Sequence, residues 1–125
     1  MSLNILILDD ETIVGERLKA SLEKDGHSLE TFISSSTALE RLKEKIFDIV
    51  ITDIRMDDIS GIEILEHVRK KSKRTKVIMI TGYATLEVAR ESLTKGAFDF
   101  IAKPFKIREI RKAIEKAADA LKAED

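Results

Sequence analysis

Ile49-Val50-Ile51-Thr52-Asp53 is a short apolar run that ends on a hydroxyl and a carboxylate. Continuous apolar residues with little alternation are expected of a strand buried on both faces of a parallel sheet. Runs of the same kind occur at Ile5-Leu6-Ile7-Leu8, Val77-Ile78-Met79-Ile80 and Phe98 to Ala102. A further run, Leu29 to Phe32, is more polar and reads as an edge strand.

The stretches between these runs carry a helical period. Val14, Leu18 and Leu22 repeat every four residues before Asp25-Gly26, where glycine marks a helix stop. Leu39, Leu42 and Ile46 mark a second helix. Ser60-Gly61-Ile62-Glu63 matches a capping box and opens a third, continued by Ile64, Leu65 and Val68. Leu86, Ala89 and Leu93 mark a fourth, ended by Lys95-Gly96. The last helix, expected over about residues 107–122, carries Ile107, Ile110, Ile114, Ala117 and Leu121 on one stripe.

Strand and helix alternate five times, so the chain reads as one α/β domain over residues 1–125. The pattern predicts a doubly wound (βα)5 fold, with a parallel five-stranded sheet, right-handed crossovers and helices on both faces. An eight-stranded barrel does not fit 125 residues. Open sheets of this kind bind ligands beyond the carboxyl ends of their strands, where strand order reverses.

Composition narrows the function. Hydrophobic residues at 43% and charged residues at 36% supply both a core and a wet surface. A net charge of −1 favours neither nucleic acid nor an anionic membrane, so no direct contact with either is expected. Cysteine is absent, which removes disulfides and thiolate metal sites and suits a cytoplasmic setting. No apolar run is long enough to span a bilayer, and the opening residues lack signal-peptide features.

Four strands end in reactive side chains: Asp9-Asp10 followed by Glu11, then Thr52-Asp53, Thr81-Gly82 and Lys103-Pro104. Parallel packing brings these ends to one rim. Carboxylates a few ångströms apart repel by roughly 4 kcal/mol per pair at an effective dielectric of 20. One lysine cannot neutralise them all. A hard divalent cation can, and oxygen-only ligands suit Mg2+. Asp53 then offers a nucleophile for an acyl phosphate, while Thr81 and Lys103 are expected to receive phosphoryl oxygens.

Each residue alone has an ordinary reading. An aspartate after a strand caps a helix, Thr-Gly makes a turn, a lysine is solvated, and Lys-Pro marks a strand exit. Their joint placement at four strand ends is what departs from the ordinary. His27 and His67 lack any paired ligand spacing and are expected to be exposed bystanders. The basic run Arg69-Lys70-Lys71 with Lys73, Arg74 and Lys76 has no interleaved aromatic and reads as a solvated helix end.

At these residues the chain resembles the receiver domains of bacterial two-component response regulators, over essentially its whole length. The resemblance implies a flavodoxin-like strand order of 2-1-3-4-5. It matches the family's acidic pair to Asp9 and Asp10, its phosphoacceptor to Asp53, its hydroxyl to Thr81, its lysine to Lys103 and its aromatic switch to Phe100. Mg2+ (or Mn2+) would be held by Asp10, Asp53 and the backbone carbonyl of Arg55, with Asp9 acting largely through water. Lys103-Pro104 resembles the family's cis peptide, and Gly61 matches the glycine that opens the third helix. The segments Ile80 to Thr85 and Gly96 to Phe100 look most like receivers joined to σ54-type AAA+ transcription activators. That implies an output domain outside this sequence. The chain departs from the family at Asp57, where proline is usual, and Asp58 follows. This departure implies a freer loop and added charge near the metal. Arg55 and Tyr83 hold positions that tune dephosphorylation in the family.

The resemblance implies in-line transfer from the phosphohistidine of a histidine kinase or phosphotransfer protein to Asp53. Thr81 then moves inward and Phe100 rotates, changing the surface of the fourth helix, fifth strand and fifth helix, through which a homodimer is possible. Two rivals stand beside this switch. An Mg-dependent aspartyl-phosphate phosphatase needs a second acid two residues after the nucleophile, where this chain has Arg55, and no inserted cap is present. A degenerate receiver that only docks partners is the other, and Asp57 is the residue that favours it.

Overall fold

Neighbouring residues of a strand point to opposite faces, so a strand that is apolar at every position needs cover on both sides. The computed structural model, which describes residues 2–124, provides that cover. Met1 and Asp125, the ends of the expected domain, lie outside the described residues. The elements follow in strict alternation: β1 Asn4–Leu8, α1 Thr12–Lys24, β2 Ser28–Phe32, α2 Ser35–Glu44, β3 Ile49–Asp53, α3 Gly61–Lys71, β4 Lys76–Thr81, α4 Leu86–Thr94, β5 Asp99–Ala102 and α5 Ile107–Glu124. All strand pairs are parallel, in the order β2-β1-β3-β4-β5. The expected fold and edge position of β2 are both observed.

Alternation divides the sheet's side chains between two cores. Ile5, Ile7, Ile49, Ile51, Ile78 and Ile80 face Leu18 and Leu22 of α1 and the α5 stripe. Leu6, Leu8, Val50, Val77 and Met79 face α2 and α3 on the other side. Strand order reverses at β1, which pairs with β2 on one side and β3 on the other, so the carboxyl ends of β1 and β3 meet at a crevice.

Helix ends follow local chemistry. Ser60 Oγ accepts the Glu63 N–H at 3.3 Å, as the capping pattern predicts. Gly26 and Gly96 adopt φ of +94° and +104°, the left-handed stops that close α1 and α4.

Three sequence readings need correction. The second helix stops at Glu44, so Ile46 lies outside it and is 59% exposed. Lys45 turns extended, and Phe47, 2% exposed, takes the core place instead. In α4 the Leu86 and Leu93 positions face outward, while Val88 and Ser92 face the sheet. Ser92 is tolerated there because its hydroxyl donates to the Val88 carbonyl at 2.9 Å. The last helix runs two residues beyond its expected end, where Glu124 pairs with Lys76 of β4.

Candidate functional site

Three strand-end side chains are fixed by the same local device, each accepting the backbone N–H two residues on. Asp9 Oδ1 takes the Glu11 N–H at 2.8 Å, Asp53 Oδ1 takes the Arg55 N–H at 3.3 Å, and Thr81 Oγ1 takes the Tyr83 N–H at 3.1 Å. Such turns suit Asp and Thr because a short side chain can stand in for a backbone carbonyl. All three residues are buried, whereas Asp10 is exposed.

Lys103 reaches these acids from β5. Its N–H donates to the Thr81 carbonyl at 2.8 Å, which extends the β4–β5 ladder by one residue, and the Lys103-Pro104 peptide is cis. The ammonium lies 2.7 Å from Asp9 Oδ2, 2.8 Å from Glu11 Oε1 and 2.9 Å from Asp53 Oδ2. Its contacts with Glu11 and Asp53 are aligned hydrogen bonds. The Asp9 contact is ionic but off line, so buried Asp9 Oδ2 has no hydrogen-bond partner. Burial pushes the Asp9 carboxyl above its ordinary pKa, and the Lys103 contact offsets this only in part. For Lys103, burial acts downward, but contacts with Asp9, Glu11 and Asp53 outweigh it and hold the ammonium above the usual lysine value. The lysine stays charged.

Carboxylate oxygens of Asp9, Asp10 and Asp53 lie within 4.8 Å of one another. The set is all oxygen, partly buried, and includes an atom without a hydrogen bond. That chemistry fits a hard divalent cation better than a soft one.

Gly61 holds the floor of the site. Its N–H donates to the Ile54 carbonyl at 2.8 Å, and a Cβ there would lie 2.1 Å from the Asp53 carbonyl oxygen. Helix α3 therefore starts in backbone contact with the end of β3. Phe100 is half-buried on β5 and packs on the core that holds Leu6 and Leu8. Arg55 and Tyr83, on neighbouring loops, stack with the guanidinium 3.9 Å from the ring centre.

Several expectations about the surroundings change. The loop after β3 is anchored despite lacking proline: Asp58 Oδ2 accepts the Ser36 N–H at 3.2 Å, and Ser35 Oγ donates to the Ile59 carbonyl at 2.7 Å. Asp58 thus turns to the start of α2, with its carboxyl held below the usual range by a backbone bond from Ile59. Neither histidine is an exposed bystander. His27 is half-buried and its Nδ1 accepts the Leu3 N–H at 3.2 Å, while His67 is half-buried with Nε2 unpartnered. The basic run is tied to the protein more than solvated. Arg69 donates to the Lys73 and Thr75 carbonyls, Lys71 to the Leu42 carbonyl, and Arg74 pairs with Asp48.

Glu11 was not among the predicted site residues, although the acidic run Asp9-Asp10-Glu11 carried the signal. An open groove of about 640 Å³ beside Glu11 and Lys103, lined by Ile13, Arg17, Phe105 and Ile107, had no signal in any one segment.

A doubly wound sheet whose switch point gathers buried acids around one lysine defines a class of small signalling domains. The model for the response regulator receiver domain matches residues 5–115, and the chain belongs to that family. Its function is the family's: a phosphorylation-dependent switch of two-component signalling, and the phosphatase reading is not favoured. The chain is 37% identical over 113 residues to Regulatory protein AtoC of Escherichia coli K12, covering 90% of this chain and 24% of that protein. It is 32% identical to Transcriptional regulatory protein ZraR of Escherichia coli O157:H7, covering 93% and 26%. Among solved structures, a CheY-like receiver domain protein from Methanospirillum hungatei JF-1 matches with a TM-score of 0.95 and 33% identity over 100% of both chains. The chain spans about a quarter of the length of the relatives AtoC and ZraR. Among the described residues, no helix is long and apolar enough to cross a membrane.

Proposed function

We propose that Asp53 is the phosphoacceptor, with Thr81 and Lys103 as the groups that receive phosphoryl oxygens, and that the domain assists its own phosphorylation and dephosphorylation. The observation that carries this reading is the Lys103 ammonium 2.9 Å from Asp53 Oδ2, inside a trio of acids within 4.8 Å. Mg2+ (or Mn2+) fits the trio; Asp10, Asp53 and the Arg55 carbonyl would hold it, with Asp9 acting through water. When bound, the cation supplies neutralisation of phosphoryl charge. An Asp53 carboxylate oxygen forms the new bond to phosphorus. The P–N bond to the kinase histidine breaks, and its electron pair leaves on the imidazole nitrogen. Lys103 donates to one phosphoryl oxygen, so positioning and electrostatics carry most of the catalysis.

The Thr81 hydroxyl, now accepting from Tyr83, turns to another phosphoryl oxygen, and Phe100 rotates into the space released. This alters the face of α4, β5 and α5. Leu86 and Leu93 of α4, and Tyr83 on the loop before it, are each more than half exposed, which supports use of that face in a homodimer or against an output domain. The proposed whole protein places this receiver, residues 1–125, before an output domain of the σ54-type AAA+ class. It acts in the cytoplasm, takes its phosphoryl group from a histidine kinase or phosphotransfer protein, and leaves nucleic-acid contact to the output domain.

Incubation with acetyl phosphate and Mg2+, followed by intact mass measurement, tests the proposal. One added phosphoryl group, absent in Asp53→Ala, is the expected result. No adduct under any donor overturns it in favour of a docking-only receiver.

A further inference from the structure

Lys103 shares its ammonium between two kinds of carboxylate. Asp9 and Asp53 are buried partners, whereas the Glu11 side chain is 59% exposed. An ammonium has three donors. One goes to Asp53 and one to Glu11, while the buried Asp9 Oδ2, only 2.7 Å away, is left without an aligned bond. The third donor is left for Asp9 Oδ2, so every donor faces a carboxylate, and one of the three carboxylates is a partner that water could satisfy. The chain segment explains why. Asp9 Oδ1 is already committed to the Glu11 N–H, and that turn sets Glu11 at the mouth of α1, directly over the lysine.

We propose that Glu11 is a positioning residue that holds Lys103 in a resting pose and is exchanged for a phosphoryl oxygen when Asp53 is charged. The inference rests on Asp53 being the acceptor. Phosphoryl transfer asks Lys103 for a donor. Turning away from Asp9 would strip a fully buried carboxylate of the ammonium 2.7 Å from it. Taking it from Glu11 returns an exposed carboxylate to water, at the small cost typical of an exposed ion pair. The exchange also removes a negative charge from the path of the incoming anion. Glu11 opposes charging of Asp53, and once the phosphoryl group is in place Glu11 has no remaining role in holding it.

That asymmetry supplies the test. With acetyl phosphate the Asp53 O–P bond forms and the donor's P–O bond breaks, the electron pair leaving on acetate. Glu11→Gln should be phosphorylated about two- to fivefold faster than wild type at subsaturating donor and low salt, the worth of one exposed ion pair. The gain should shrink in high salt. Hydrolysis of the acyl phosphate, followed after donor removal, should keep the wild-type rate. Glu11→Asp keeps the charge but is one methylene short of the lysine, so it should charge faster than wild type yet gain less than Glu11→Gln. Equal charging rates, slower charging in Glu11→Gln, parallel changes in charging and hydrolysis, or a wild-type rate in Glu11→Asp would each overturn the proposal. Failure of wild type itself to gain a phosphoryl group would instead remove the Asp53 reading beneath it.

Discussion

Replacing Gly61 by alanine tests how tightly the start of α3 is locked to the acceptor strand. A Cβ at this position would sit 2.1 Å from the Asp53 carbonyl oxygen, 2.8 Å from Ile54 Cα and 2.9 Å from the Asp53 carbonyl carbon. All three atoms are backbone, so no side chain can swing aside. The strand end or the helix start must move by more than an ångström to restore ordinary contact. Helix propensity by itself would favour alanine by about 1 kcal/mol. Overpacking costs about 1–3 kcal/mol and opposes it. The Gly61–Ile54 hydrogen bond at 2.8 Å is strained by the same movement. Gly61→Ala should therefore lose stability despite its better propensity, by about 1 kcal/mol or more. Because the obstacle is Asp53's own backbone, its carboxylate moves as well, and a misplacement near 1 Å can cost about 100-fold in rate. Urea unfolding and the time course of acetyl-phosphate labelling measure the two effects separately. Gly82→Ala is the control, since nothing lies within 4 Å of a Cβ there. If Gly61→Ala matched wild type in both assays, the backbone-contact argument would be wrong.

Three further substitutions probe the rest of the domain. Burial pushes the His67 pKa below its ordinary value of 6.5, and the positive charges of Lys71 and Lys43 add to this. The folded chain then binds fewer protons than the unfolded one, so His67's contribution is present above 6.5 and is lost as pH falls through the depressed folded value. The urea midpoint of His67→Leu should accordingly fall less steeply than that of wild type between about pH 7 and 5; parallel curves would exclude a neutral, half-buried His67. Phe47→Ala should cost about 3–5 kcal/mol and Ile46→Ser less than about 0.5 kcal/mol, since only the first removes core volume. Thermal melts showing similar losses for both would restore Ile46 to the core.

The alternation of apolar runs and helical stripes was readable because each element's period is a property of a few consecutive residues. Gly26, Gly96 and the Ser60 cap were readable for the same reason. Ile46 and Leu86 were misread where two apolar neighbours could each serve the core. Phe47 displaced Ile46 once Lys45 left the helix, and α4 turned Val88 inward in preference to its leucines. Periodicity ranks faces by hydrophobicity, but the tilt of a helix against its sheet decides which face is buried.

The candidate site shows the same division at longer range. From residue types alone, acids, a hydroxyl and a lysine had to lie at the carboxyl ends of parallel strands. Only the folded chain decided how they pair, because Lys103 and Glu11 stand 92 positions apart and meet through the β4–β5 register and the start of α1. Local sequence determines which elements form and which side chains end them. Contacts between ends depend on crossovers and strand register, and a shift of one residue would have sent Lys103 to the other face of the sheet.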